Sequence, residues 1–193
     1  SPFYRPGTTI PEPVAREREA SAAGPIDVSV ETMPFESALR GALLRLADRL
    51  PSYEDELRDL DAALGDGDLG LTVSAGVAAI AARVAQLPRS AATSGLLREA
   101  GTAFASANPS TFAALIGGGL LSASAVVDDT RPLDRAAVIA IGRAIAAAVA
   151  AKGGAQLGDK TMLDVLVPVL DRLEAGASAD ELLSYLAERV EEV

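Results

Sequence analysis

The sequence predicts an all-α protein, an antiparallel up-and-down helical bundle or barrel of about eight helices, preceded by a Pro-rich extended arm. Three observations carry this prediction. Apolar residues recur at helical spacing from residue 34 onward, and no strand-like run is bounded by turn signals. Ala, Leu and Val dominate while only 4% of the 193 residues are aromatic, a palette that suits closely packed helices better than a β-sandwich. The breaks between periodic segments are short, so neighbouring helices should run antiparallel.

Residues 1–33 read as a linker or extended arm. Pro2, Pro6, Pro11 and Pro13 are followed by the mixed-charge run Arg16-Glu17-Arg18-Glu19 and by Gly24-Pro25, a composition with little to bury. Residues 34–193 read as the helical domain. Leu39, Leu43, Leu46 and Leu50 mark a first stripe. Tyr53, Leu57, Leu60 and Leu64 mark a second, with Ser52 as its expected N-cap. Val73, Val77, Ile80, Val84 and Leu87 mark a third. Further helices are expected near 93–107, 110–127, 133–152, 160–174 and 179–193. Ser178 and Glu181 stand in capping-box spacing before the last. Pro168 should kink its helix or sit where a neighbour covers the gap it leaves.

Composition narrows the chemistry. There is no cysteine and no histidine, which removes disulfides, thiolate sites, imidazole metal sites and every histidine base. Absence of cysteine suits a reducing compartment, and a cytoplasmic location is expected. A net charge of −10 argues against nucleic acid or an anionic membrane as partner, unless a cation stands between. Apolar stretches such as Ala136 to Gly142, flanked by Arg135 and Arg143, read as too short for a membrane span.

The most informative segment is Asp61-Ala-Ala-Leu-Gly65-Asp66-Gly67-Asp68-Leu69-Gly70. Its glycines spell G-x-G-x-x-G, but the preceding residues have helical periodicity, and Asp66 and Asp68 would aim negative charge at a pyrophosphate. An EF-hand fails too, because the fifth position from Asp66 is Gly70 and the sixth is Leu71. No lysine strand or catalytic loop supports a protein-kinase glycine loop. What remains is three carboxylates within eight residues. Held this close they repel unless a divalent cation neutralises them, and Mg²⁺ accepts a few carboxylates beside water and phosphate oxygens. A solvated acidic turn capping the following helix fits the same spacing.

Two further segments bear on a ligand. Gly153-Gly154-Ala-Gln-Leu-Gly158-Asp159-Lys160-Thr161-Met162-Leu-Asp164 opens onto a helix start and could offer amides and a hydroxyl. Alternatively, Gly153 and Gly154 simply break the preceding Ala-rich helix. Asn108-Pro109-Ser110-Thr111 fits an ordinary turn and N-cap.

Taken together, from about Glu36 to Leu173, these segments resemble the L subunit or L domain of dihydroxyacetone kinases. That family carries an aspartate followed four positions on by G-D-x-D-x-G, and far downstream G-G-A-x-x-G-D-K-T-M-x-D. The resemblance implies a barrel of antiparallel helices in which Asp61, Asp66 and Asp68 hold two Mg²⁺ ions bridging the phosphates of ATP or ADP. It places Thr72, Asn108, Ser110, Thr111, Gly158, Thr161 and Met162 on the nucleotide side, with no catalytic side chain of the domain's own. It implies a K domain or subunit, fused or separate, that holds a small ketose through a histidine. The match departs from the family in three places. Leu69 stands where histidine is usual, Pro109-Ser110-Thr111-Phe112-Ala113 replaces a glycine-serine-rich phosphate loop, and the basic C-terminal lid segment is expected to be missing from 34–193.

Overall fold

The computed structural model describes residues 35–63 and 65–192; the expected arm at 1–33 lies outside them. Among the described residues every regular element is helical: α1 (Phe35–Arg49), a 3₁₀ turn (Leu50–Tyr53), α2 (Glu54–Ala62), α3 (Leu69–Gln86), α4 (Thr93–Ala107), α5 (Thr111–Ser124), α6 (Arg135–Gly153), α7 (Leu163–Glu174) and α8 (Ala179–Glu192). The all-helical fold class is therefore the one the sequence predicts. Boundaries differ from expectation where a turn precedes the helix. The segment near 160–174 starts only at Leu163, because residues 158–161 are folded back as a loop.

The helices pack largely on their chain neighbours, from α2 and α3 through α4, α5, α6 and α7 to α8. Two apolar clusters result. In the first, Leu43, Val77, Ile80, Val84, Leu96, Ala100, Phe104 and Ala113 join α1, α3, α4 and α5. Phe104 lies edge-on to Phe112 with ring centroids 6.3 Å apart. In the second, Ala146, Val149 and Leu163 join α6 to α7, with Leu115 of α5 and Met162 packed against them. So α5 belongs to both clusters. Of the stripe read as Val73, Val77, Ile80, Val84 and Leu87, the first four are buried along α3, while Leu87 is half-buried at its C-cap.

Long-range polar contacts tie down the helix ends. Arg40 of α1 donates to the Val84 carbonyl (2.6 Å) and the Pro88 carbonyl (2.5 Å), covering the end of α3. Asp129 accepts from the Ser94 backbone N–H at 3.0 Å and from its hydroxyl, covering the start of α4. Arg135 of α6 donates to the Leu173 and Ala177 carbonyls at 2.8 and 3.0 Å, covering the end of α7. Gly154 ends α6 in the left-handed conformation, with its N–H donating to the Ala150 carbonyl at 2.9 Å.

The capping box holds. Ser178 N–H donates to Glu181 Oε2 at 2.7 Å and Glu181 N–H donates back to Ser178 Oγ at 3.3 Å. The expected Ser52 cap does not. Its hydroxyl donates backwards to the Arg49 carbonyl at 2.7 Å, because a 3₁₀ turn intervenes and Tyr53 occupies the N-cap position. Pro168 stands inside α7, which continues to Glu174. The carbonyl four residues back, that of Asp164, receives Arg189 Nη2 of α8 at 3.1 Å. A neighbour does cover the gap. By length and composition alone α3 and α6 are long and apolar enough to cross a membrane, a test that buried core helices also pass, and α3 contributes Val77, Ile80 and Val84 to the core. Arg143 of α6 pairs with Asp171 and with Glu174, the latter at 3.0 Å, on α7.

Candidate metal and nucleotide site

The corner between α2 and α3 is shaped by backbone proximity. A Cβ on Gly70 would lie 2.0 Å from the Glu54 carbonyl oxygen, so the two helix starts cross at a distance only glycine permits. Gly67 turns at φ +76°, a conformation that disfavours a side chain. Asp61, at the end of α2, reaches across the corner. Its Oδ2 accepts from the Asp68 N–H at 3.0 Å and from the Leu69 N–H at 3.4 Å, satisfying the first amides of α3.

This arrangement brings Asp61, Asp66 and Asp68 together, with one carboxylate oxygen from each inside a 4.8 Å group. Among the described residues no arginine or lysine forms an ion pair with any of the three; nearby Arg58 pairs instead with Asp55 (2.6 Å) and Asp59 (2.9 Å). Asp68 is held above the usual aspartate range, first by desolvation and then by the charges of Asp66 and Asp61. Position makes Asp68 the N-cap of α3, yet its side chain makes no cap bond. Capping belongs to Asp61, and Asp66 and Asp68 are left as surplus negative charge. A hard, oxygen-only donor set of this kind fits Mg²⁺.

Thr72, one turn into α3, is fully buried, and its Oγ1 accepts from Asn108 Nδ2 at 3.0 Å. Asn108 closes α4 and, with Pro109 between, precedes Ser110 and Thr111 at the start of α5. The bond therefore locks the start of α5 to the helix that begins at the acidic corner. Ser110 occupies the N-cap position of α5 without a side-chain cap bond, so the plain N-cap expected of this turn is not formed by its hydroxyl.

The turn between α6 and α7 is organised by a residue to which the sequence reading gave no role. Asp164, 7% exposed, accepts from the Gly158 N–H at 2.6 Å and from the Thr161 N–H at 2.9 Å. These backbone donors hold its carboxyl below the usual aspartate range. A legible signal existed, because Thr161 and Asp164 have capping-box spacing. Lys160 is carried in the turn at φ +56°. No hydrogen bond or ion pair joins this turn to the acidic corner among the described residues. Its link to the rest is through α5, whose Leu115 shares a cluster with Met162.

Residues 63–193 match the DAK2 domain, a span that contains Asp66 and Asp68 and begins just after Asp61. Three curated relatives are erythrulose kinases. The L-erythrulose 1-kinase of Mycolicibacterium smegmatis is 47% identical over 123 residues, 62% of this chain and 21% of the relative. The D-erythrulose kinase of the same organism is 36% identical over 137 residues, 70% of this chain and 24% of the relative. The L-erythrulose kinase of Pectobacterium atrosepticum is 29% identical over 195 residues, 97% of this chain and 33% of the relative. The chain thus spans no more than a third of the length of these relatives. The crystal structure of the dihydroxyacetone kinase from C. freundii in complex with AMP-PNP and Mg²⁺ superposes with a TM-score of 0.68 at 27% identity. That match covers 90% of this chain and 33% of the other.

Proposed function

The chain belongs to the DAK2-domain family, and we propose that it is the nucleotide-binding, phosphoryl-donor part of a kinase acting on a small ketose. The observation that carries this is the acidic corner: three carboxylates gathered within 4.8 Å, without a countercharge among the described residues. Asp61, Asp66 and Asp68 would hold two Mg²⁺ ions. When bound there, Mg²⁺ supplies the positive charge that lets nucleotide phosphates approach an acidic surface and eases charge build-up during transfer. The Mg²⁺ and AMP-PNP of the C. freundii kinase support ATP or ADP as the ligand.

The remaining work falls to this chain's own groups and is mainly positioning. Asn108, pinned to Thr72, sets the start of α5 so that Ser110 and Thr111 present hydroxyls, while the Ser110 N–H is held by the Asn108 carbonyl at 2.9 Å. Gly158, Thr161 and Met162 flank the nucleotide from the turn that Asp164 holds. The chain has no histidine to hold a ketone covalently, so the ketose belongs on a partner K domain or subunit. The erythrulose-kinase relatives support a ketose of four carbons, and the C. freundii dihydroxyacetone kinase one of three. A non-catalytic nucleotide-binding regulatory module is the alternative that the transfer assay separates, and a helical interaction domain with acidic caps is the poorer reading, because Asp68 makes no cap bond.

Calorimetry with ADP tests the nucleotide half: heat of binding should appear with Mg²⁺ and vanish with EDTA. Adding a K-type subunit, ATP and ketose tests the rest. Phosphorylated product should form only when both proteins are present, and robust transfer by this chain alone would overturn the two-part reading.

A further inference from the structure

Pro168, in the middle of α7, and the glycine-rich turn ahead of α7 are connected through one residue. In an α-helix the carbonyl of Asp164 would accept the N–H of residue 168, and proline has none. The carbonyl receives Arg189 Nη2 of α8 instead, at 3.1 Å and 25 residues along the chain. The side chain of that same Asp164 holds the turn, through the Gly158 N–H at 2.6 Å and the Thr161 N–H at 2.9 Å. Asp164 is therefore fixed at both ends, its backbone oxygen by α8 and its carboxylate by the turn.

Arg189 is itself set for this contact. Its Nη1 donates to Glu192 at 2.5 Å on its own helix, and its Nε is buried with no partner among the described residues. Among the described residues its one hydrogen bond beyond its own helix is that to Asp164. The other cationic contact between these helices lies near the far end of α7, where Arg172 stacks over the Tyr185 ring at 3.8 Å. That contact does not touch the turn.

We propose that Arg189 is a positioning residue for the nucleotide-side turn: by filling the carbonyl that Pro168 leaves free, it fixes Asp164 and so holds the loop from Gly158 to Thr161 in place. The proposal rests on the function proposed above for its ligand, and on the hydrogen bonds alone for its mechanics. Without Arg189, the half-buried carbonyl has no donor and must tilt towards water, carrying the Asp164 backbone and its carboxylate with it.

The test uses the full chain and two readouts, amide hydrogen exchange at Gly158 and Thr161 by NMR and affinity for Mg-ADP. Arg189→Leu should speed exchange at both amides and weaken Mg-ADP, each by about tenfold. Pro168→Ala returns a donor to the Asp164 carbonyl, so in the double variant most of both effects should disappear. Tyr185→Leu should lower the melting temperature while leaving the two amides protected. Overturning results are a destabilised Arg189→Leu with unchanged Gly158 and Thr161 exchange, or no rescue by Pro168→Ala. Wild-type protein that shows the amide pattern but binds no Mg-ADP would instead overturn the nucleotide reading and leave the hold of Arg189 on the turn standing.

Discussion

Both the α2–α3 corner and the α6–α7 turn hold a glycine-rich loop by bonding two of its amides to a single aspartate, Asp61 in the first and Asp164 in the second. They differ in what is left over. In the turn, both oxygens of Asp164 are used and no second acid crowds them, so the structure is complete without a ligand. In the corner, Asp66 and Asp68 add charge that no ion pair balances among the described residues, and Asp68 is pushed away from ionising. One loop is a finished hydrogen-bonded unit; the other carries electrostatic repulsion that a cation would relieve. Similar backbone devices thus differ by charge alone in whether a cation is called for.

The largest effect should come from breaking the corner. Asp68→Asn removes a proposed Mg²⁺ ligand, and affinity for Mg-ADP, measured by calorimetry, should fall by more than about a hundredfold, the upper end for merely supporting residues. The empty protein should be as stable as wild type or slightly more so. A less stable variant that still binds Mg-ADP normally would make the corner a cap like any other.

A smaller effect should follow from filling it. At roughly a hundredfold excess over the dissociation constant, Mg-ADP adds about 2.7 kcal/mol. For a domain this size that raises the melting temperature by about 5–10 °C. ADP with EDTA should give no shift, and equal shifts in the two conditions would remove the metal from the reading.

Acid titration should show the two loops pulling in opposite directions. Asp68 has a raised folded-state value, so its ionisation opposes folding as pH climbs past the ordinary value of 3.8. Asp164 has a lowered one, so its contribution is present above 3.8 and is lost as pH falls through the lower folded value. Denaturant unfolding between about pH 3 and 6 should therefore show Asp68→Asn gaining on wild type, and Asp164→Asn losing ground, as pH rises. Mg²⁺ should abolish the first difference and leave the second.

The smallest effect belongs to a helix start with no ligand role. Ser178→Ala removes half of the capping box before α8 and should cost about 1 kcal/mol in chemical denaturation. The Mg-ADP shift should be unchanged. A corner variant that behaved like Ser178→Ala would erase the distinction between cap and site.

What the sequence determined by itself is local. The helices could be read because apolar residues repeat at helical spacing, which gives α3 its buried face, although in α2 the same spacing leaves Leu60 exposed. The acidic corner could be read because Asp61, Asp66 and Asp68 lie within eight residues, and glycines at 65, 67 and 70 permit the sharp turn and close approach that gather them. The same local logic gave the Ser178–Glu181 box. It failed for Ser52, where a 3₁₀ turn, one tight turn in length, moved the helix start by one residue, from a cap at Ser52 to one at Tyr53. Tertiary structure alone decided the rest. Thr72 meets Asn108 across 36 residues, and Asp164 meets Arg189 across 25. Neither partner is implied by spacing, because which helix lies beside which depends on the packing of α3 on α4 and of α7 on α8. Pro168 was visible in the sequence as a missing donor, but only the docking of α8 could say which side chain replaces it.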